Sequence, residues 1–148
     1  MLGNRCGPAA VFRQEQSVLQ RWKMTIKEIA NCLDARVLCG EDRLDQSVTS
    51  ACCSDLMSDA LAFIHENAAL LTGITNPHVV RTAGILDLKC IIFVRGKVPP
   101  DEVLEMAREQ GLVTMTVNKT MFTCAGLLYD NGLRGAPMGW PCREEAVS

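Results

Sequence analysis

Hydrophobic positions along this chain fall in short runs separated by amphipathic stretches, and the alternation becomes regular from Ala68 onward. Three runs, AALLTG, CIIFVRG and LVTMTVN, have the length and residue types of buried strands, and each is followed by apolar positions at helical spacing. The helices carry their own punctuation. Asn76-Pro77 supplies a cap and a first-turn proline ahead of Val79, Val80, Ala83 and Leu86. Pro99-Pro100 followed by Asp101-Glu102 opens a helix through Val103, Leu104 and Ala107 that Gly111 closes. The last helix starts near Asn118 to Thr120, shows Met121, Phe122, Ala125, Leu128 and Tyr129, and ends at Asn131-Gly132. Repeated strand and helix in this order predicts an α/β fold with a mainly parallel sheet, because parallel neighbours need crossover connections that pack helices on the sheet.

The first half is less regular. TIKE at Thr25 to Glu28 is a capping box, in which the threonine accepts from the third helical N–H and the glutamate reaches back, with Ile26, Ile29, Ala30 and Leu33 on one face. ARVLCG reads as a strand, EDRLD as a polar connection and QSVTSACC, Gln46 to Cys53, as one further strand. In the helix that follows, Ser54 is placed as the cap, Asp55 at the positive end of the dipole, and Leu56, Met57, Ala60, Leu61 and Ile64 form one apolar stripe. Met121, Phe122 and Phe63 are assigned to the core.

Residues 1–23 lack sustained periodicity and are expected to be a disordered or mis-assigned upstream extension, with Met24 as the start. Arg21-Trp22 can be encoded AGG-UGG, which resembles a ribosome-binding sequence. The ordered domain is expected over 24–133, and residues 134–148, with glycine, proline and charge but no period, as a C-terminal tail.

A length of 148 residues with 48% hydrophobic and 22% charged residues suits one globular domain with a sizeable core. Lys and Arg total 15 against 17 Asp and Glu, and no basic run offers a footprint for nucleic acid or an anionic membrane. No apolar run approaches the roughly 20 residues of a membrane span, and no signal pattern opens the chain, so a cytoplasmic location is expected.

The 8 cysteines contain no C-x-x-C, and His65 and His78 are not spaced with them as zinc ligands would be. Most sit inside apolar patterns, where a free cysteine packs as a small hydrophobe. The adjacent pair Cys52-Cys53, just ahead of a helix start, is the one candidate thiol site for redox or metal chemistry, although neighbours on a strand point to opposite faces. No other metal site and no cofactor are expected.

Signals for catalysis are missing. Gly96-Lys97 has Ile91 where a P-loop needs its first glycine and Val98 where it needs a hydroxyl, and there is no G-x-S-x-G elbow. His65 is placed at a helix C-terminus, and His78 in a first turn, where a protonated ring is disfavoured. The three strand-to-helix turns are more informative. In a parallel sheet they converge at one edge, each leads into a helix N-terminus, and Arg95, Lys97 and Lys119 add positive charge. Candidate residues for a small anionic ligand such as a nucleotide are Thr72, Gly73, Asn76, Arg95, Gly96, Lys97, Asn118, Lys119 and Thr120. The alternative is that Gly, Asn and Pro serve turn geometry alone. SDLMSD, Ser54 to Asp59, lies elsewhere on the domain, with its aspartates read as surface or first-turn residues unless a cap faces the same cleft.

From Met24 to about Leu133 the chain resembles the DRTGG domain, an α/β module related to the N-terminal, non-catalytic domain of bacterial HPr kinase and found between CBS domains in some regulated pyrophosphatases. The residues that carry the likeness are MTIKEIANCLDARVLCG, RLDQSVTSACCSDLMSDALAF and LLTGITNPHVVRTAGILDLKCIIFVRGKVPPDEVLEMAREQGLVTMTVNKTMFTCAGLLYDNGL. The resemblance implies an HPr kinase N-terminal-domain-like fold, a regulatory or ligand-sensing role without catalysis, and a homodimer. As a short stand-alone protein it is similar to single-domain DRTGG proteins of anaerobic bacteria, often encoded near redox enzymes such as hydrogenases, which implies the alternative of an assembly subunit in a redox complex. The family is named for an Asp-Arg pair after one strand and Thr-Gly-Gly after the next. Those places read Thr75-Asn76-Pro77 and Val94-Arg95-Gly96 here, so only Gly96 is retained, which leaves two readings of the motif's ligand chemistry here, lost binding or altered specificity.

Overall fold

The structure, a computed structural model, describes residues 23–64 and 66–136. The expected extension, apart from Lys23, the outer part of the tail, and His65 lie outside the described residues.

Among the described residues, seven strands and five α-helices follow one another as β1 (Met24–Thr25), α1 (Ile26–Leu33), β2 (Arg36–Cys39), β3 (Ser47–Val48), β4 (Ser50–Cys53), α2 (Met57–Phe63), β5 (Ala68–Thr72), α3 (Pro77–Ile85), β6 (Cys90–Phe93), α4 (Asp101–Glu109), β7 (Val113–Thr116) and α5 (Met121–Asp130). The main sheet has the order β2-β7-β6-β5-β4. β4, β5, β6 and β7 are mutually parallel, and β2 closes the far side antiparallel to β7. The expected mainly parallel α/β architecture is therefore present.

Side-chain alternation splits the core into two layers. Ala69, Leu71, Ile92, Val113 and Met115 meet Ile26, Ile29 and Leu33 of α1 and Cys124 and Leu128 of α5 on one face. Ala68, Leu70, Ile91 and Phe93 meet Ala60 of α2, Val79, Val80 and Ala83 of α3, and Val103 and Ala107 of α4 on the other. The near-continuous apolar strands are what a sheet covered on both faces requires.

Local signals work as read where they are self-contained. Thr25 accepts from Glu28 N–H at 3.1 Å and Glu28 Oε1 accepts from Thr25 N–H at 3.2 Å, a complete capping box of the kind that contributes about 1 kcal/mol. Asn76 Oδ1 accepts from His78 N–H with Pro77 in the first turn.

Three expectations need correction. The single strand 46–53 is two: β3 pairs antiparallel with β1 in a separate ribbon, β4 joins the main sheet, and Thr49 between them gives its N–H to Asn67 O. EDRLD is the polar connection expected and opens with a 3-10 turn, Glu41–Arg43. Ser54 does not cap α2; its hydroxyl closes a local turn with Leu56, and the helix begins at Met57 with Leu56 exposed. Phe63 and Phe122 are not core residues, at 51% and 88% exposure, and Leu61 and Tyr129 are also exposed. Helices α2 and α5 carry apolar residues on more than one side, so periodicity alone could not decide which side faces the sheet.

Candidate functional site

All four parallel strands end at one edge of the sheet, where β4 leads to Asp55, β5 to Gly73, β6 to Arg95 and β7 to Asn118. Between β6 and α4, Arg95 and Gly96 both adopt left-handed backbone, with φ of 60° and 68°, and Lys97 N–H returns to Val94 O at 3.3 Å. Two consecutive positive φ values are the signature of a type I′ turn, in which glycine at the second place is favoured and arginine at the first is not. The turn is pinned to the β7 exit, since Arg95 N–H donates to Lys119 O and Gly96 N–H to Val117 O, each at 2.8 Å.

That strained turn aims Arg95 back across the sheet edge. Its guanidinium lies over Gly73, where a Cβ would collide with it, so the glycine serves close approach rather than an unusual φ. Arg95 Nη2 is 3.8 Å from Asp55 Oδ2, and both side chains are about half exposed. Asp55 Oδ1 accepts from Gly73 N–H at 2.7 Å and from Thr72 Oγ1 at 3.2 Å. Lys97 Nζ donates to Gly73 O at 3.0 Å, while Thr116 Oγ1 fixes the Lys97 carbonyl at 2.7 Å. Two cations and one carboxylate thus meet over the end of β5.

The nine candidate residues separate into two groups. Thr72, Gly73, Arg95 and Lys97 come together, Asn76 caps the adjoining α3, and Asn118 Oδ1 sits beside Gly96. Lys119 turns to the opposite helical layer, where Nζ donates to Leu33 O at the end of α1 at 2.9 Å, a favourable place for a cation. Thr120 is spent capping α5, its Oγ1 accepting from Thr123 N–H. The N–H groups of Gly73, Ile74, Arg95, Gly96 and Lys97 all have protein acceptors, so the anion-binding potential of this edge lies chiefly in side-chain charge. The α4 start is acidic, with Asp101 and Glu102 in its first turn.

Asp55, whose stretch the sequence places elsewhere on the domain unless a cap faces the same cleft, belongs to this group. The signal was available: in a parallel sheet the residue two positions past β4 reaches the same edge as those past β5 and β6.

Cys52 and Cys53 point to opposite faces, as expected, with Cys52 against the α2–α4 layer and Cys53 in a crevice of about 140 Å³ beside Leu71, Ala125 and Tyr129. Neither thiol is activated. Burial and then Asp59 raise Cys52; burial, then Cys52, Cys124 and Asp55, push Cys53 up to about 11, so the expected help from a helix start is outweighed. Among the described residues no group of three His, Cys, Asp or Glu side chains is placed to hold a metal ion, and no helix is long and apolar enough to cross a membrane. Alkylation of Cys53 by iodoacetamide at pH 8 should run roughly ten- to a hundredfold slower in the folded than in the urea-unfolded protein, since thiolate scarcity outweighs the stronger nucleophile. Peptide mass spectrometry after timed quenching measures it, and equal rates would contradict the raised pKa.

These features define a three-layer α/β domain without a P-loop, whose parallel strands present a compact charged cluster at their C-terminal edge. The chain belongs to the DRTGG domain family, which matches residues 28–130. Among solved structures it is similar to the CBS and DRTGG domains of the regulatory region of Clostridium perfringens pyrophosphatase, complexed with its activator diadenosine tetraphosphate. The similarity has a TM-score of 0.61 at 18% identity and covers 80% of this chain and 50% of that one, so this chain spans half the length of that regulatory region. No curated protein matches it in sequence.

Proposed function

We propose that this DRTGG domain is a cytoplasmic, non-catalytic, regulatory module that senses a small phosphate-bearing ligand, such as a nucleotide, at the C-terminal edge of β5 and β6. The observation that carries the reading is the placement of Arg95 and Lys97 over Gly73, with a carboxylate already seated between the β4 and β6 exits. An arginine kept at φ 60° is a local cost that turn geometry alone would avoid by using glycine or asparagine. The pyrophosphatase region of similar fold was solved with a dinucleotide activator, which supports the class of ligand without locating it.

Residues in the proposed site are Thr72, Gly73, Arg95 and Lys97, joined by Asn76, Gly96 and Asn118 at its rim. Lys119 and Thr120 act from the second tier, holding the β7 exit to α1 and α5. Output passes through self-association as a homodimer or through a protein partner, and the exposed Phe122 and Tyr129 on α5 support a contact role. The assembly-subunit alternative rests on those exposed residues alone.

Calorimetric titration of the full chain with a panel of mono-, di- and triphosphate nucleotides tests the reading, with native mass spectrometry giving the oligomer mass. Saturable binding of at least one nucleotide is expected. Titrations flat for the whole panel at millimolar concentration would remove it and favour the assembly subunit.

A further inference from the structure

The anion-binding groups of the edge are not idle. Asp55 holds them: one oxygen takes the Gly73 N–H and the Thr72 hydroxyl, and the other faces the Arg95 guanidinium. We infer that Asp55 is the specificity-determining residue of the edge, an internal carboxylate seated in the anion subsite, and that only a ligand with several negative charges, a di- or triphosphate group, displaces it. The inference rests on the reading of this edge as an anion site and adds the ligand class.

Ligand and carboxylate compete for the same cations. A carboxylate carried on the neighbouring strand exit has an effective concentration that a free anion must match, of order millimolar or above. A single orthophosphate near neutral pH offers little more charge than the carboxylate and pays translational entropy that the tethered group does not. A polyphosphate spans both cations: one phosphate takes over Arg95, in the forked geometry that guanidinium favours, while the next meets Lys97 as a point charge. Lys97 is anchored only to the Gly73 carbonyl and has no carboxylate in its described surroundings, so its charge is available to that second phosphate. Once displaced, Asp55 remains at the end of β4 and repels any further anion.

The test uses inorganic orthophosphate and inorganic triphosphate, so that no base or sugar contact intervenes. Both are titrated by calorimetry into the full-length protein and into Asp55→Asn, which keeps an oxygen for Gly73 N–H but loses the charge. In parallel, the Gly73 amide resonance of the wild-type protein is followed by 15N NMR. The wild type should bind triphosphate at least about tenfold more tightly than orthophosphate, with the Gly73 amide shifting as Asp55 leaves it. In Asp55→Asn the preference should shrink, because orthophosphate gains about tenfold. If the wild type binds triphosphate but Asp55→Asn binds both anions no better, Asp55 is a structural carboxylate and the inference fails while the site stands. If neither protein binds triphosphate, the anion site itself fails and this goes with it. Should Asp55→Asn not fold, the wild-type amide decides: a Gly73 resonance unmoved at saturating triphosphate overturns the inference, and a saturable shift upholds it.

Discussion

Replacing Phe93 by alanine should lower the unfolding free energy by about 3–5 kcal/mol, the largest loss expected from any single core truncation here. Phe93 is fully buried and is the one aromatic side chain in the core among the described residues. It ends β6 at the centre of the sheet, with Thr72 of β5 on one side and Thr116 of β7 on the other. Its ring belongs to the layer under α2, α3 and α4, whose close-packed aliphatic members can relax only partly into the space it leaves. Urea unfolding followed by far-UV circular dichroism measures the change, expected as a lower midpoint with an unchanged slope. A loss below about 1.5 kcal/mol would mean that this layer collapses onto the gap and is packed more loosely than the structure shows.

Arg95→Gly should separate stability from binding. Glycine removes the side-chain penalty at φ 60° but adds unfolded-state entropy and gives up a half-exposed ion pair worth little, so stability should move by less than about 1 kcal/mol. Triphosphate affinity should nevertheless fall roughly ten- to a hundredfold, because charged hydrogen bonds of about 1.5–3 kcal/mol are lost. Calorimetry at fixed ionic strength, paired with urea unfolding, gives both readings. Undiminished affinity in a stable Arg95→Gly protein would show that the guanidinium is only turn architecture.

How far the chain could be read without coordinates depended on whether the deciding interaction was local. The caps at Thr25 and Asn76 were legible because a side chain meets a backbone group two or three residues away. The strands β5 and β6 were legible because burial on both faces leaves near-continuous apolar runs, and β7 because its valine, methionine and threonines suit a strand on either face. The division of Gln46–Cys53 was not, since the strand changes partners at Thr49 without a glycine or proline to mark it. Strand and helix alternation supplied the fold class and the resemblance its family, but neither supplied these details. At the site, parallel topology brought the right turns to one edge but could not give side-chain direction. Lys119 and Arg95 follow equivalent strands, yet one reaches down to Leu33 and the other across to Asp55. That choice is set by the left-handed turn at Arg95 and Gly96, which pattern alone does not encode.

The antiparallel seam between β2 and β7 bears on how this chain finds its fold. Every parallel pairing joins strands separated by a single helix, so β4 through β7 can assemble one unit at a time, each loop closing at modest entropic cost. The seam joins Cys39 to Thr114 across 75 positions and has no surface to meet until β7 exists. The N-terminal segment thus waits for the last strand to be made, and its closure, the slowest search in the molecule, converts a run of nearest-neighbour units into one cooperative body.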